Sequence, residues 1–497
     1  MSFFKRLIGR EASRAESDRP LFLYNTLGKE KREFSLPPRV HTVRMYNCGP
    51  TVYGTQHIGN LSMFVFTDVL RRVLEYNGFA VKQVINITDF GHLTSDADEG
   101  EDKMSKGLKR EGMAVTMENM AKLAEKYAEQ FLKDLTLLNI DISQIEFPRA
   151  SAYISAEIAL VQTLVEKGYA YEGAHAVYYD TSRFPAYGEL GGVDLKGLKE
   201  GARIAANEEK HHPTDFVLWK KDSKIGWDSP WGKGFPGWHI ECSAMINSTL
   251  GKQIDIHTGG IEHIPVHHNN EIAQSEAATG KHPLSRFWMH RAHLQLEGSK
   301  FAKSEDRVVY LSEILERGFH PMALRYLFLG AHYRTSSNFS WEALEASQNA
   351  FLKLRRYADS LQDTAMGIPP IEYQKRWQER LNDDLDTPGA LAVLWEMLRD
   401  EKQLTPEDLK AGILDIDRAL GLGLDKDDPK ASALWSKLFG VLVDSDAIPE
   451  RVNDLLVARE AARNERDWQR ADALRKEIES LGYTIEDGAD GANLFRR

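Results

Sequence analysis

A strand, a long amphipathic helix and a second strand follow one another near the N-terminus, and this order constrains the fold more than any other feature. Val43–Gly49 and Ala80–Thr88 have the composition of strands, and apolar residues recur at helical spacing over Gly59–Tyr76. Gly78 stands where a glycine commonly ends a helix. Strand, helix and strand in this order form a βαβ unit, which requires a parallel sheet. We therefore predict an α/β fold with a ligand crevice at the strand ends.

The middle of the chain has segments of contrasting pattern. We predict a surface loop over Ser95–Asp102, a helix over Thr116–Leu138, strands at Phe216–Lys220, Ile254–Thr258 and Ala292–Leu296, and a helix beginning near His267. From about residue 150 to 210 the pattern is weaker, with β-prone residues and repeated glycines. This segment is interpreted as an insertion between two halves of a nucleotide-binding fold.

Beyond about residue 340 the sequence indicates nearly continuous amphipathic helix. The apolar spacing predicts helices over Trp341–Ala358, Glu372–Asp400 and Pro406–Leu420. Asp386-Thr387-Pro388 has the pattern of an N-cap followed by a proline in the first turn. Over Arg451–Ser480 arginines alternate with acids. Five of these arginines either contact the phosphates and bases of an RNA or form a solvated helix face. They are Arg459, Arg463, Arg466, Arg470 and Arg475.

Composition narrows the class of protein. A chain of 497 residues exceeds what one hydrophobic core usually supports, which indicates several domains. A net charge of −11 argues against a protein that coats nucleic acid, although basic residues on one face still permit RNA binding. Apolar runs are too short to cross a bilayer. Two cysteines do not make a disulfide framework, which fits a reducing cytoplasm. The first 20 residues lack the apolar core of a secretory signal and are interpreted as a flexible extension.

The first chemical motif is His57-Ile-Gly-Asn60, at the junction of the first strand and its helix. A glycine there lets the backbone approach a ligand, and the helix start offers unpaired N–H groups and a positive dipole end. His57 adds a donor that can stabilise charge developing on a phosphate. Taken alone, this pattern is better explained by a polar cap and a packing glycine.

The second motif is Lys300-Phe-Ala-Lys303-Ser304, which follows the predicted strand Ala292–Leu296. Two lysines three residues apart suit the neutralisation of a triphosphate as pyrophosphate leaves. Solvated lysines on an exposed loop are the alternative. Lys103-Met-Ser-Lys106 has a similar spelling, but it follows an acidic loop and is interpreted as a surface segment.

The two motifs resemble the HIGH and KMSKS signatures of class I aminoacyl-tRNA synthetases in type, order and separation. The chain beyond about residue 21 resembles the cysteinyl-tRNA synthetase family in particular, through Met45–Tyr53, Asn86–Asp89, Gly237–Ser243, His267–Ser275, Leu381–Pro388 and Asp467–Asp472. Two positions depart from that family. Asn60 replaces the second histidine of HIGH, and Phe301-Ala302 replaces the Met-Ser of KMSKS. Asparagine can still donate a hydrogen bond to phosphate but carries no charge.

The resemblance implies a zinc site. By themselves Cys48 and Cys242 are a poor metal signal, because two distant cysteines are more often small buried hydrophobic residues. His267 and Glu271 are four residues apart and would share one helix face. The resemblance places these four residues around one zinc that binds the thiolate of substrate cysteine. Such a site would select cysteine over serine without an editing domain.

The resemblance also implies contacts with both substrates. Gly49, Thr51, Thr88 and Trp238 match positions around the amino acid, although Trp238 alone is equally a core residue. Glu262, in Gly260-Ile-Glu262, stands where the adenosine ribose is often held, and a carboxylate accepts from ribose hydroxyls. The implied ATP-binding set is His57, Gly59, Asn60, Glu262, Lys300, Lys303 and Ser304.

The implied fold is a Rossmann-like catalytic domain with an insertion, followed by a helical bundle and a small anticodon-binding region. The expected segments are the extension 1–20, catalytic halves 21–150 and 211–295, insertion 151–210, KMSKS and stem-contact region 296–345, bundle 346–430 and anticodon-binding region 431–497. The implied reaction activates L-cysteine with ATP to cysteinyl-adenylate and transfers it to the 3′ end of tRNA(Cys), with Zn²⁺ and Mg²⁺. We expect a cytoplasmic monomer with no membrane partner.

Two alternatives remain open at this point. One is a ligase that joins activated cysteine to a small amine, which would resemble the catalytic half without an anticodon-binding end. The other is a catalytically silent zinc-containing RNA-binding protein, for which Asn60 is the best support.

Overall fold

The computed structural model describes residues 19–91, 103–192, 209–296, 308–443, 447–488 and 491–496. The strands are β1 Phe22–Asn25, β2 Glu30–Glu33, β3 Thr42–Asn47, β4 Ala80–Ile85, β5 Ile145–Glu146, β6 Ala170–Glu172, β7 Ala176–Tyr179, β8 Phe216–Lys221, β9 Gly234–Pro236, β10 Ile254–Gly260, β11 Ser285–Arg291, β12 Leu294–Leu296, β13 Ser337–Phe339, β14 Val441–Leu442, β15 Tyr483–Gly488 and β16 Gly491–Arg496. The α-helices are α1 Ile58–Tyr76, α2 Lys103–Arg110, α3 Met117–Leu137, α4 Ile154–Glu166, α5 Trp238–Thr249, α6 His267–Thr279, α7 Leu311–Glu316, α8 Pro321–Leu329, α9 Trp341–Ser360, α10 Ile371–Asn382, α11 Thr387–Arg399, α12 Pro406–Leu420, α13 Pro429–Phe439, α14 Glu450–Asn464 and α15 Trp468–Ser480.

A parallel sheet in the order β11-β10-β3-β4-β5 forms the centre of the first part of the chain. The predicted unit β3-α1-β4 is confirmed, with Thr42 opposite Ala80 and Asn47 opposite Ile85. The strand β10 joins the other side of β3. The strand order therefore changes direction between β3 and β10, and ligands of such sheets bind at the carboxyl ends beside this switch point.

Helix α1 begins where the sequence predicts, directly after the His57 side chain that caps it. Its apolar residues form one of the largest parts of the core, among them Leu61, Val65 and Val69. The helix ends at Asn77, and Gly78 follows with a φ of +82°, the left-handed conformation that favours glycine. Because α1 begins shortly after β3 ends, its first turn lies at the carboxyl edge of β3.

A buried ion cluster joins α1 to the helices of the C-terminal half. The Asp68 carboxylate lies 2.6 Å from Arg325 Nη2, 2.7 Å from Arg72 Nε and 2.9 Å from Arg71 Nη2. Arg325 also donates to the Leu420 and Leu138 carbonyls, both at 2.9 Å. Burial alone would raise the pKa of Asp68, but the guanidinium groups, Arg325 foremost, lower it to about 2. The cluster therefore needs the ionised carboxylate.

Replacing Asp68 with asparagine should reduce the free energy of unfolding by about 2 kcal/mol at neutral pH, because the three arginines lose their anion. The folded pKa lies below the ordinary 3.8, so this contribution is complete above about pH 4 and is lost as the pH falls towards 2. Calorimetry across pH 2–7 checks both statements. Asp363→Asn, at an exposed aspartate, is the control and should leave the unfolding transition unchanged. An Asp68→Asn protein with wild-type stability at pH 7 would contradict the interpretation.

The segment between β5 and β10 carries its own antiparallel sheet, in the order β6-β7-β8-β9. The strand predicted at Phe216–Lys220 is confirmed as β8, but its partners are β7 and β9 and not the central sheet. Alternation within one strand cannot specify which neighbour it pairs with. The domain boundaries proposed from the sequence remain a prediction, and the predicted loop Ser95–Asp102 lies outside the described residues.

The helices predicted over Trp341–Ala358 and Pro406–Leu420 are confirmed as α9 and α12, while Glu372–Asp400 forms two helices, α10 and α11. The stretch Arg451–Ser480, where arginines alternate with acids, lies in α14 and α15. Between these two, Asp384 and Leu385 have positive φ angles of 60° and 59°, and the Asp386 side chain caps α11 as predicted. The final helices pack with the sheet β14-β16-β15. None of the helices in the described ranges is both long enough and apolar enough to cross a membrane.

Candidate active site and metal centre

A cavity of about 530 Å³ opens at the carboxyl edge of the central sheet, where β3, β10 and β11 end. Its wall includes most of the described residues proposed from the sequence: Cys48, Gly49, Thr51, His57, Gly59, Asn60, Trp238, Cys242, Glu262 and His267. The structure therefore brings together, in one cavity wall, residues that are up to 219 positions apart in the chain, as are Cys48 and His267.

His57 is both the N-cap of α1 and part of the cavity wall. Its Nδ1 accepts a hydrogen bond from the Asn60 backbone N–H at 3.3 Å, and burial lowers its pKa. A neutral imidazole that accepts at Nδ1 carries its proton at Nε2, which leaves a hydrogen-bond donor for a ligand. The ring covers Gly59, where a Cβ would lie 2.9 Å from it. The glycine is therefore needed for this histidine position.

The four residues proposed as metal ligands come together in space. Cys48 follows β3, Cys242 lies in α5, and His267 and Glu271 occupy the first turns of α6. Their ligand atoms all lie within 4.8 Å of one another, and all four side chains are buried. The hydrogen bond from the Cys48 thiol lowers the pKa of Cys242 to about 7, which makes a thiolate accessible near neutral pH. Two thiols, an imidazole and a carboxylate form a donor set that fits zinc.

The surrounding histidines orient this set. His239 Nδ1 lies 2.9 Å from His267 Nδ1, and His257 Nε2 lies 2.6 Å from Glu271 Oε2. Such partners behind a metal ligand fix its ring orientation and its tautomer. Sequence reasoning missed both residues, because nothing in the spacing of His239 and His257 distinguishes them from ordinary buried histidines.

A second group of donors overlaps the first. Cys48, His257, His268 and Glu271 also bring their ligand atoms within 4.8 Å. His268 Nε2 lies 3.2 Å from Cys48 Sγ. This group offers one thiol where the first offers two, so a soft metal is expected to favour the group that contains Cys242.

Of the residues proposed to bind the amino acid, some line the cavity and one lies behind its wall. Gly49 donates its N–H to Asn86 Oδ1 at 2.8 Å, and a Cβ on Gly49 would lie 1.6 Å from the Asn86 carbonyl oxygen. Glycine is thus required where the two strands approach. Thr51 lines the cavity, whereas the buried Thr88 donates its hydroxyl to Glu241 Oε2 at 2.9 Å and lies behind the wall.

Trp238 starts α5 and faces the cavity, with its ring centroid 4.6 Å from that of His267. Lys103 Nζ lies 5.1 Å from the Trp238 ring centroid. The sequence-based interpretation of Lys103–Lys106 as a surface segment is wrong, since Met104 and Ser105 are buried and Lys103 lines the cavity. The acidic residues before Lys103 had suggested exposure, but α2 packs on α3 through its apolar side.

Glu262 lies beyond β10 in the cavity wall, with 54% of its side chain exposed. Its carboxylate reaches over Gly260, where a Cβ would lie 2.2 Å from Oε1. Lys300, Lys303 and Ser304 lie outside the described residues. The described residues on either side of that segment, Leu294 and Val308, both line the cavity.

Comparison with known proteins gives two family matches. The family described as tRNA synthetases class I (C) catalytic domain matches residues 35–349, and the Cysteinyl-tRNA ligase anticodon binding domain matches residues 445–493. Cysteine–tRNA ligase 1 of Burkholderia lata is 45% identical over 482 residues, covering 96% of this chain and 97% of that protein. The cysteine–tRNA ligase of Thermus thermophilus is 39% identical over 487 residues, covering 95% and 98%.

The fold is also shared with more distant proteins. Mycobacterium tuberculosis methionyl-tRNA synthetase in complex with methionyl-adenylate superposes with a TM-score of 0.55 at 14% identity, over 87% of this chain and 96% of that one. At this identity the likeness concerns the fold alone.

Proposed function

This chain belongs to the class I cysteine–tRNA ligase family, and we propose that its cavity binds ATP and L-cysteine and that cysteine is joined to tRNA there. The enzyme is an aminoacyl-tRNA ligase, which converts ATP to AMP and pyrophosphate as it joins the amino acid to tRNA. One observation carries the assignment of the site: four metal-ligating groups and the capped start of α1 line the same cavity or lie directly behind its wall.

We assign Zn²⁺ to Cys48, Cys242, His267 and Glu271. Their burial and the low pKa of the Cys242 thiol support this choice. A bound zinc supplies a soft acceptor that prefers a substrate thiolate to the neutral hydroxyl of serine. A pocket without such chemistry distinguishes substrates that differ by one small group by only about 1–3 kcal/mol. Gly49, Thr51 and Trp238 are proposed to enclose the amino acid, and Thr88 to support this wall from behind.

The nucleotide is proposed to lie against the first turn of α1. His57 donates from Nε2, Asn60 donates from its amide, and the helix start contributes its positive dipole end. Positioning and charge stabilisation can carry the displacement at the α-phosphate without a protein nucleophile. Glu262 is proposed to accept from the ribose. Lys300, Lys303 and Ser304 are proposed to neutralise the departing pyrophosphate, with Mg²⁺ bound to ATP.

The tRNA is proposed to contact the C-terminal region as well as the cavity. The match of residues 445–493 to an anticodon-binding domain supports this over a ligase for small amines. Among the five arginines considered, Arg459 is buried and Arg475 donates to the Ile485 carbonyl at 2.9 Å. Arg466 and Arg470 are exposed, Arg470 beside Glu465 at 3.9 Å, and are the better candidates for RNA contacts. A cytoplasmic monomer remains a prediction.

Two linked assays test the proposal with the full-length, zinc-loaded protein. Cysteine should stimulate ATP–pyrophosphate exchange, and labelled cysteine should then be transferred to tRNA(Cys). Exchange without transfer would favour a small-molecule ligase. Absence of exchange would reject the enzymatic assignment and favour a silent RNA-binding protein.

A further inference from the structure

Arg291 is the last residue of β11 and lies opposite Gly260 at the carboxyl edge of the sheet. Only 6% of its surface is exposed, and it lines the cavity that contains His57 and Asn60. An arginine buried to this degree usually has a carboxylate beside it, because an isolated buried charge is costly.

The contacts of Arg291 with the described residues do not include an acid. Its Nε donates to Ser62 Oγ at 2.8 Å, and its guanidinium carbon lies 5.7 Å from the centroid of the Phe328 ring. Within the ranges that the structure describes, no carboxylate lies within ion-pair distance and no protein group accepts from Nη1 or Nη2. Burial lowers the pKa of Arg291 to about 10, so the group remains charged at neutral pH.

Arg325 provides the comparison within the same protein. It is as deeply buried, but all three of its nitrogens donate, to Asp68 and to the Leu138 and Leu420 carbonyls. Arg325 is therefore satisfied by the protein itself. Among the described residues, Arg291 makes one hydrogen bond, through Nε, and it lines the cavity, so an anion bound there can pair with its two NH₂ groups.

The anchor of Arg291 places it beside the first turn of α1. Ser62 Oγ accepts from Arg291 and donates to the Gly59 carbonyl at 2.7 Å, and Asn60 lies in the same turn. His57 is held neutral by burial, and Asn60 carries no charge. Among the other described cations of the wall, Arg110 donates to the Tyr53 carbonyl at 2.7 Å and Lys103 lies over Trp238.

We propose that Arg291 binds the phosphate groups of ATP, supplying at the start of α1 the positive charge that Asn60 does not carry. The assignment rests on the proposed function, which makes a nucleotide the anionic ligand of this cavity. A planar guanidinium with two free NH₂ groups suits bidentate contact with phosphate oxygens. Phosphate is favoured over the substrate carboxylate because the anchor Ser62 bonds to Gly59, in the first turn of α1 where the nucleotide is proposed to lie.

The test is Arg291→Gln in the full-length, zinc-loaded protein. We expect the KM for ATP in cysteine-dependent pyrophosphate exchange, and the Kd for ATP measured by calorimetry without cysteine, to rise at least about 10-fold. The KM for cysteine and the zinc content should stay within about 2-fold of wild type. Arg317→Gln, at a half-exposed arginine paired with Glu313, is the matched control and should change none of these values.

Two further variants keep the test decisive. Arg291→Lys preserves the charge, and its Kd for ATP should lie between those of wild type and the glutamine variant. If Arg291→Gln fails to fold, a Kd for ATP above that of wild type in Arg291→Lys still supports the proposal, and an unchanged Kd contradicts it. Adding Asn60→His to Arg291→Gln should recover part of the ATP affinity. Unchanged ATP affinity in a folded Arg291→Gln protein, or a rise confined to the KM for cysteine, would overturn the proposal. If wild type lacks exchange altogether, the proposed function fails, while calorimetry with ATP still decides whether Arg291 binds it.

Discussion

Cys242→Ser should lower the affinity for zinc by more than about 100-fold and weaken the preference for cysteine over serine by about 10-fold or more. Loss of a residue that merely supports a metal ligand commonly costs 10–100-fold, so loss of a thiolate ligand should cost more. The hydroxyl of serine is a poor ligand for zinc because it stays protonated near neutral pH. Metal content is measured by mass spectrometry, and selectivity by pyrophosphate exchange with each amino acid.

The control distinguishes the two overlapping groups of donors. His268 belongs only to the group with Cys48, His257 and Glu271, whereas Cys242 belongs only to the group with His267. His268→Asn should therefore reduce zinc affinity less than Cys242→Ser does. If His268→Asn releases the metal while Cys242→Ser retains both metal and selectivity, zinc occupies the other group and the assignment is wrong.

His57→Ala should lower kcat for pyrophosphate exchange by about 10²–10³-fold, the usual effect of removing one donor to a developing charge. The imidazole accepts at Nδ1 from the Asn60 N–H, so its Nε2–H is available to the α-phosphate. Zinc content should not change, because His57 lies outside the metal-ligand group. Exchange kinetics at saturating cysteine and ATP give the measurement.

The loss of a helix cap must be separated from the loss of a donor. Thr116→Ala removes a similar cap from α3, where Thr116 Oγ1 accepts from the Asn119 N–H at 3.1 Å, and should cost about 1 kcal/mol of stability with little effect on kcat. His57→Ser keeps a capping side chain but not the reach of the imidazole, so it should be as impaired as alanine. A folded His57→Ala protein with kcat within about 3-fold of wild type would exclude a role in the chemistry.

The local periodicity of apolar residues predicted much of the secondary structure. Helix α1 differs from its predicted range by one residue, and the cap at Asp386 forms as its residue type predicted. These features depend on contacts within a few positions of the chain, which the sequence shows directly. The predicted range Glu372–Asp400 did not divide α10 from α11, although the cap pattern at Asp386 indicated a helix start there. The positive φ angles of Asp384 and Leu385, which form the turn, depend on packing.

The candidate site was partly predictable. The motif at His57 could be found from the sequence because a strand, a loop and a helix start are consecutive in the chain. The position of Thr88 behind the cavity wall could not be predicted from the sequence, since its hydroxyl bonds to Glu241, 153 positions later. The same limit concealed Lys103, which reaches the cavity only because α2 packs on α3 beside Trp238.

By itself the sequence determined the βαβ unit, the chemical types of the proposed ligands, and the helix-face spacing of His267 and Glu271. Only the tertiary structure decided that Cys48 and Cys242 meet them, because that depends on β10 pairing with β3 and on α5 and α6 packing together behind that edge. Tertiary packing likewise decided that Arg325 pairs with Asp68, while Arg291 bonds to Ser62 and has no carboxylate partner in the part of the chain that the structure describes. The physical reason is the distance along the chain over which each feature is set. Residue spacing reports contacts within a few helical turns, whereas burial and charge pairing depend on residues hundreds of positions away.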